Sequence, residues 1–325
     1  MSANKRSLRS TASIPTPSTS TLVPQLQPLP LPPLTFNSQN TSSNSSPIKI
    51  IPPGFKLPGL SPSELTLLHR KQTKLASTVT STYHSLPNAP GLLHALASTL
   101  IFAQHEAGTA ICIDPAGWIL TCAHCFGDDE TEYQADSRRR WLLFYTGLAV
   151  QVECRVWDPK RDLALLKVVA VETDGGKEGR IPAFRHACLS SNPPALKTPI
   201  ICIGQPGRDD LESSSARRTK YNLIEVSEGA FRGMVRGVDP QDNSEIGTLM
   251  HDAWTYWGHS GAPLLTEADG NLVGLHSSWD DQTLMRHGVP LAAMREFLSE
   301  HLASAKARGG EDVADGGMAL DNRLK

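Results

Sequence analysis

The sequence predicts an all-β fold of two antiparallel six-stranded β-barrels, with an N-terminal helix, a C-terminal helix and disordered tails. From about residue 97 the chain consists of short β-prone runs separated by Gly, Pro and Asp, and these runs form two series of about six. Two such series are typical of two barrels whose loops meet at a shared cleft. The predicted boundaries are a tail 1–60, a helix and linker 61–94, a folded domain 95–303 with barrels at about 95–185 and 186–290, and a tail 304–325.

The first 60 residues contain 11 of the 24 prolines, are rich in Ser and Thr, and include no acidic residue. Such a segment cannot bury enough apolar surface to offset the entropy of ordering. The run from Pro28 to Leu34 favours polyproline II and is a candidate ligand of an SH3- or WW-type domain, although a low-complexity tail is the simpler interpretation. The basic N-terminus permits a mitochondrial transit peptide, but the prolines that follow leave little room for its amphipathic helix.

A helix is predicted to start at Ser61-Pro62-Ser63-Glu64, where a capping box is combined with Pro at the first helical position. Its apolar residues recur at helical spacing to about His84 and predict a face that packs on the folded domain. A second helix, from Leu291 to Leu302, is predicted to close the domain.

The predicted strands of the first series are residues 98–103, 108–113, 117–122, 141–148, 150–157 and 163–171. Those of the second series are residues 198–203, 221–227, 230–236, 246–253, 263–266 and 271–277. The polar stretches 127–140, 172–180 and 207–219 are predicted to be exposed loops.

The stretch Trp257-Gly258-His259-Ser260-Gly261-Ala262-Pro263 is unusual because glycines flank a His-Ser pair and a proline follows closely. Glycine on each side of the His-Ser pair permits a tight turn and the close approach of another molecule. The backbone N–H groups of Gly258 and Ser260 can then point at one spot, which is the geometry that an oxyanion hole needs. A serine nucleophile also needs a base and an acid that orients the base.

Candidates for both groups lie upstream at the ends of predicted strands. Thr121-Cys122-Ala123-His124-Cys125 places a His after one strand, and Arg161-Asp162-Leu163-Ala164-Leu165 places an Asp before another. The order along the chain is therefore His124, Asp162, Ser260. Taken alone, His124 could be structural and Asp162 could belong to a surface ion pair.

At these three stretches the sequence resembles the trypsin/chymotrypsin-like serine peptidases, and most closely their HtrA-type (Deg) branch. The resemblance covers about residues 95–303 and extends to Ile203-Gly204-Gln205-Pro206-Gly207 and His287-Gly288-Val289-Pro290. It implies a serine endopeptidase that works through an acyl-enzyme, with proteins or peptides as substrates. HtrA-type proteases usually carry a PDZ domain after the protease, and we expect none in the 65 residues after Ser260.

The resemblance implies that Ser260 attacks the scissile carbonyl, His124 takes its proton and Asp162 orients the imidazole. It places Trp254 at the floor of the primary specificity pocket and the stretch from His276 to Trp279, including Ser277, in the opposite wall. Because Trp254 is not acidic, we expect an apolar or small residue at the P1 position of the substrate, unless Trp254 plugs the pocket.

Two residues depart from the family pattern. The residue before the serine is His259 instead of the Asp of trypsin-like enzymes or the Asn common in HtrA types, and Ala262 replaces the usual Gly. In trypsin-like zymogens that Asp pairs with the newly cut N-terminus, so activation by N-terminal cleavage is not expected here.

Composition limits the other function classes. The net charge of −2 implies no nucleic-acid or other strongly charged partner, and no apolar run is long enough for a membrane span. The six cysteines lie mostly in apolar runs, and Thr109 occupies the position at which secreted relatives pair with Cys125. Reduced thiols and an intracellular location, cytoplasmic, nuclear or mitochondrial, are therefore expected. Cys122 and Cys125 have no second pair to complete a zinc site, and no cofactor is implied.

Two alternatives remain open. Gly258-His259-Ser260-Gly261-Ala262 also resembles the nucleophile elbow of α/β-hydrolases, but that fold places its acid and His after the Ser and starts a helix where Pro263 stands. The other alternative is a trypsin-like fold that has lost turnover and serves as a protein-binding scaffold.

Overall fold

The computed structural model describes residues 48–86, 90–104, 107–135, 137–173, 181, 183–209, 217–280 and 283–308. The helices are α1 (Pro62–Ser85), α2 (Pro90–Ser98), α3 (Glu130–Ala135) and α4 (Leu291–Arg308). The strands before residue 180 are β1 (Lys49–Ile51), β2 (Thr99–Phe102), β3 (Thr109–Asp114), β4 (Trp118–Thr121), β5 (Arg139–Phe144), β6 (Ala149–Asp158) and β7 (Leu163–Glu172). Those after it are β8 (Pro199–Gly204), β9 (Glu225–Met234), β10 (Leu249–His251), β11 (Pro263–Thr266), β12 (Leu272–Trp279) and β13 (Arg286–Pro290).

Strands β2 to β7 form the first barrel. The order β7-β4-β3-β2-β5-β6 is antiparallel throughout, and the pairing of β6 with β7 closes it. Its strands are buried on both faces. In β2, Leu100 and Phe102 belong to the interior cluster, whereas Ile101 belongs to the cluster that the helices cover. This alternation follows from the two-residue period of a strand.

Strands β8 to β13 form the second barrel, closed in the order β10-β13-β12-β11-β8-β9. Its interior is filled by small and branched apolar side chains, among them Ile200, Cys202, Leu249, Leu264 and Val273. The prediction of two six-stranded antiparallel barrels is confirmed.

The segment just before the first helix differs from the predicted tail. Strand β1 pairs in parallel with β7, and Ile51 and Leu57 are buried. The prediction of a disordered tail to residue 60 therefore fails for residues 48–60, where apolar side chains stand between the prolines. The polyproline run Pro28 to Leu34 lies outside the described residues.

Helix α1 begins as predicted. The Ser61 hydroxyl accepts from the N–H of Glu64 at 3.3 Å, and the Glu64 carboxylate accepts from the N–H of Ser61 at 2.7 Å. Leu68, Lys71 and Leu75 lie on one face and are buried. The Lys71 ammonium donates to the carbonyl of Phe102 at 2.5 Å, so a polar contact to β2 fixes α1 on the first barrel.

Three predicted elements differ in detail. Helix α2 covers part of the predicted linker, and its Leu92 and Leu96 are fully buried. The runs 221–227 and 230–236, predicted as two strands, form the single strand β9. Gly229 lies within this strand. The position needs a glycine because a Cβ there would collide with the backbone of Ala253. The twelfth strand is β13, which was not among the predicted strands.

Helix α4 buries Leu291, Met294 and Phe297 and extends past the predicted end at Leu302. The Arg161 guanidinium pairs with Asp158 and with Glu300 of α4, each at 2.8 Å. These ion pairs attach the last helix to the turn before β7. Among the helices that the structure describes, none is both long and apolar enough to cross a membrane.

Candidate active site

His124 lies in a short 3-10 turn, Ala123–Cys125, directly after β4. The indole N–H of Trp157 donates to the Ala123 carbonyl at 3.0 Å and holds this turn against β6. The His124 side chain is 34% exposed, so one edge of the ring faces solvent and the other faces the protein. A base in this position can reach both a buried acid and an incoming molecule.

Asp162 is the last residue before β7, and its carboxylate is buried. It has a left-handed backbone with φ of +52°, a conformation that Asp tolerates better than most residues. The carboxylate accepts hydrogen bonds from the Nδ1 of His124 at 2.9 Å and from its backbone N–H at 3.2 Å. The hydroxyl of Ser277 donates to the other oxygen at 2.6 Å. Three donors therefore hold this carboxylate in place.

This pairing sets the charge state of the imidazole. Burial alone lowers the pKa of His124, but the hydrogen bond and the negative charge of Asp162 outweigh it, and the pKa is raised above its ordinary value. Because Asp162 accepts from Nδ1, the neutral ring carries its lone pair on Nε2. His124 is thus poised to take a proton through Nε2.

Ser260 stands in a turn between β10 and β11. Its carbonyl accepts from the N–H of Thr109 at 3.0 Å and from the thiol of Cys125 at 3.9 Å. Cys125 directly follows His124, so these contacts bring the backbone of Ser260 beside the turn that carries the imidazole. Within the described part of the chain, the Ser260 hydroxyl makes no hydrogen bond.

The N–H groups of the Ser260 turn alternate between engaged and open. The N–H of His259 donates to the Tyr256 carbonyl at 3.0 Å, and that of Gly261 donates to the His276 carbonyl at 2.9 Å. Those of Gly258 and Ser260 donate to no described residue. The Trp257 carbonyl accepts from the Gly207 N–H at 2.5 Å, and because the peptide is trans, the Gly258 N–H points to the opposite side.

Glycine is required at two positions of the turn because a larger residue would clash with neighbouring atoms. Gly258 has φ of +99°, and a Cβ there would collide with the Ala107 side chain and the Gln205 carbonyl. Gly261 has φ of +79°, and a Cβ there would collide with the carbonyl of Thr109 and the hydroxyl of Thr121. The serine turn therefore packs directly against β3 and β4 of the first barrel.

Thr109 joins the two barrels at this point. Its hydroxyl accepts from the backbone N–H of Gln205 at 2.9 Å and donates to the Gly258 carbonyl at 3.3 Å. The six cysteines are all free thiols, and Thr109, where secreted relatives have a disulfide partner, makes polar contacts instead. The only sign of this role in the sequence is the absence of a cysteine at position 109.

Trp254 and Ser277, the predicted pocket residues, occupy different surroundings. Trp254 is half-buried among aromatic rings, with Tyr221 at 4.8 Å, His259 at 5.4 Å and Tyr256 at 6.3 Å between centroids. Ser277 is buried and points at Asp162, so its hydroxyl orients the acid. The sequence analysis placed Ser277 only in the pocket wall and missed this contact.

His259 is buried beneath the turn and does not take the place of an anionic residue. Its Nδ1 lies 3.0 Å from the Tyr256 carbonyl, and its Nε2 has no partner among the described residues. Burial lowers the pKa of His259 to about 4. His251 and His276 join ring nitrogens 3.1 Å apart in the same interior, and burial lowers the pKa of His251 to about 3. All three imidazoles are held neutral.

Ligand atoms of Cys122, His124 and Asp162 lie within 4.8 Å of one another. They are poor metal ligands as arranged. Burial raises the pKa of the Cys122 thiol well above its ordinary value, whereas a metal ion needs the thiolate, and both Asp162 oxygens already accept hydrogen bonds. The three groups fit a hydrogen-bonded acid and base better than a metal centre.

Comparison with known proteins gives one family. The trypsin-like peptidase domain matches residues 108–275, which include His124, Asp162 and Ser260. No curated protein matches the sequence. The fold is similar to that of the inactive form of Rv3671c from Mycobacterium tuberculosis, with 14% identity, a TM-score of 0.47, and coverage of 67% of this chain and 92% of that one. A serine endoprotease from Yersinia pestis is similar at 18% identity, with a TM-score of 0.47 and 69% of each chain covered.

Proposed function

Because the chain belongs to the family of trypsin-like peptidase domains, we propose that it is a serine endopeptidase that uses His124, Asp162 and Ser260. The observation that carries this proposal is the contact between two turns. One holds the hydrogen-bonded pair of His124 and Asp162, and the other holds Ser260, whose carbonyl meets Cys125 and Thr109.

The chemistry starts with proton transfer. Asp162 holds the His124 ring so that Nε2 is free, and Nε2 takes the proton of the Ser260 hydroxyl as its oxygen attacks the scissile carbonyl. The imidazolium that forms is stabilised by the Asp162 charge. It then gives the proton to the leaving amine, which departs with the electron pair of the C–N bond and leaves an acyl-enzyme.

The second half repeats these steps with water. His124 takes a proton from a water molecule, the hydroxide oxygen attacks the ester carbonyl, and the proton returns to the oxygen of Ser260. In both halves a negative charge develops on the carbonyl oxygen. The open N–H groups of Gly258 and Ser260 would bind that oxyanion, each contributing on the order of 3 kcal/mol.

The edge of β12 supports a binding mode for the peptide. The register between β11 and β12 ends at Leu275, so Ser278 and Trp279 pair only with β13 among the described residues, and Ser277 lies in a bulge between His276 and Ser278. An extended peptide can add to such an edge through main-chain hydrogen bonds. This edge begins at the residue that bonds to Asp162, which brings the peptide to the catalytic groups.

The finer features are proposed on the sequence motifs. We place the protein nearest the HtrA-type branch, on the Asp-Leu-Ala run that begins at Asp162 and the Gly-x-Ser-Gly turn at Ser260. Trp254 and its ring cluster favour an apolar or small P1 side chain. Six free thiols support an intracellular location.

The second candidate function is a protein-binding scaffold without turnover. The observation that favours it is the Ser260 hydroxyl, which makes no hydrogen bond to a described residue. Incubation of the folded protein with a proteome-derived peptide library, followed by mass spectrometry of new termini, separates the two. The peptidase produces cleavages that a matched Ser260→Ala protein does not, whereas the scaffold leaves the two digests identical.

A further inference from the structure

A basic cavity of about 240 Å³ lies between α1 and the loop that joins β8 to β9 in the second barrel. The start of this loop contributes Pro206, Gly207 and Arg208. Its end contributes Arg218, Thr219, Tyr221, Asn222 and Leu223. The cavity is separate from His124, Asp162 and Ser260, none of which lines it.

The charged groups of the cavity all have one sign. Five cationic side chains line it, and no carboxylate is found among its described lining residues; the five are Arg70, Lys71, Lys74, Arg208 and Arg218. The Lys71 ammonium donates a hydrogen bond to the Phe102 carbonyl, and this contact fixes α1 in place. Lys74 and Arg218 are exposed and form no ion pair with a described residue. Two carboxylates stand beside the cavity without lining it: Asp209, which forms an isolated β-bridge with Arg218, and Glu225, which accepts from the backbone N–H of Asn222.

The cavity shares a wall with the serine turn. The N–H of Gly207 donates to the Trp257 carbonyl at 2.5 Å, one residue before the open N–H of Gly258. On the other side, Tyr221 lines the cavity and lies 4.8 Å from the ring of Trp254. A molecule in the cavity therefore contacts the same loop that packs against Trp254 and Trp257 beside the catalytic turn.

Distance along the chain limits how far apart the two sites are. Trp257 and Ser260 are three residues apart, which is at most about 11 Å between Cα atoms. An extended peptide advances about 3.3 Å per residue. A residue within about five positions of the scissile bond can therefore reach the cavity wall.

We propose that this cavity is an anion subsite that takes an acidic group of the peptide while its scissile bond lies at Ser260. The group is a side-chain carboxylate or a phosphate on Ser or Thr, since both present oxygens to guanidinium and ammonium donors. This inference rests on the proposed function. The net charge of the whole chain does not indicate this subsite, because the fold brings the cations together locally.

The test scans charge along a substrate. A neutral peptide that the protein cleaves is resynthesised with Glu, Gln or phosphoserine at each of the five positions on either side of the scissile bond. At one position or two adjacent ones, we expect kcat/KM with Glu or phosphoserine to exceed that with Gln by about tenfold. The Lys74→Glu/Arg218→Glu variant loses this ratio, because exposed charge contacts contribute roughly 2–5-fold each and reversal makes them repulsive.

Lys220→Glu is the matched control. Lys220 is exposed and lies between two lining residues without lining the cavity itself. Its reversal changes the net charge by as much as Lys74→Glu or Arg218→Glu alone, and it leaves the ratio unchanged. In the wild type, raising the ionic strength lowers the ratio of kcat/KM with Glu to kcat/KM with Gln towards one. A ratio near one at every position, or a ratio that survives the double substitution, overturns the subsite. An effect of free inorganic phosphate on cleavage of the neutral peptide also overturns it and assigns an effector site instead.

A binding measurement tests this inference independently of the proposed function. Fluorescence anisotropy with a labelled Glu-containing peptide and the Ser260→Ala protein needs no turnover. Tighter binding of the Glu peptide than of its Gln counterpart, lost in Lys74→Glu/Arg218→Glu, supports the subsite even if no peptide is cleaved. Equal binding of the two peptides contradicts it whatever the activity.

Discussion

Replacing Thr109 with Val tests whether the contact between the barrels shapes the serine turn. Thr109 is fully buried, and its hydroxyl serves two backbone groups, the N–H of Gln205 at 2.9 Å and the carbonyl of Gly258 at 3.3 Å. Val has nearly the same shape and no hydroxyl. The substitution therefore removes both hydrogen bonds while the packing stays close to that of the wild type.

The expected magnitude follows from these two bonds. Removing the acceptor of a buried N–H costs about 1–3 kcal/mol, and the second hydrogen bond contributes about 1 kcal/mol. A total of roughly 2–4 kcal/mol lowers Tm by roughly 4–16 °C in a domain of this size. Because the Gly258 carbonyl loses its donor next to the open N–H groups, we expect kcat to fall by about 10- to 100-fold.

The assay compares Thr109→Val with Thr109→Ser, which keeps the hydroxyl and loses a methyl. The Ser variant should lose only about 1 kcal/mol and keep most of kcat. Tm is followed by calorimetry, and kcat is followed with a cleaved peptide or by the rate of reaction with a fluorophosphonate. Equal losses of Tm and kcat in the two variants would refute the role of the hydroxyl.

The remaining predictions concern single groups of the site. Asp162→Asn should lower kcat by roughly 10⁴-fold and move the acid limb of the kcat/KM profile to lower pH, because the carboxylate raises the pKa of His124. Ser277→Ala removes the 2.6 Å bond to that carboxylate and should lower kcat/KM by about tenfold, as measured with the same peptide. Burial lowers the pKa of His259 to about 4, so the folded state binds protons less readily than the unfolded chain. Its contribution to stability is therefore complete above about pH 6.5 and is lost as pH falls towards 4, by about 1 kcal/mol per pH unit. Urea unfolding at pH 7 and pH 5 should show this loss, reduced in His259→Asn and unchanged in the exposed control His69→Asn.

The sequence predicted those features that are local. Each of the three motifs is a short stretch at the end of a strand, and strand periodicity located ten of the twelve barrel strands within a few residues. The fold then brings His124 and Asp162 into a hydrogen bond across 38 residues, which no local pattern specifies.

The features that were missed depend on contacts between distant segments. The runs 221–227 and 230–236 were predicted as two strands, but Gly229 between them lies inside β9, where the absence of a Cβ lets the backbone of Ala253 pass close by. Ser277 and Thr109 have ordinary strand neighbours in sequence, and only the packing of one barrel on the other gives their hydroxyls Asp162 and Gly258 as partners. Cations on α1 and on the loop between β8 and β9 likewise meet only in three dimensions.

The most direct test of the central claim is the reaction of the folded protein with a fluorophosphonate, followed by intact mass and by mapping of the modified residue. An assembled nucleophile and base give one adduct on Ser260. We expect the adduct to disappear in Ser260→Ala and to fall to background in His124→Ala, because the imidazole must take the hydroxyl proton. A folded wild-type protein that does not react, or an adduct that forms equally well in His124→Ala, would contradict it.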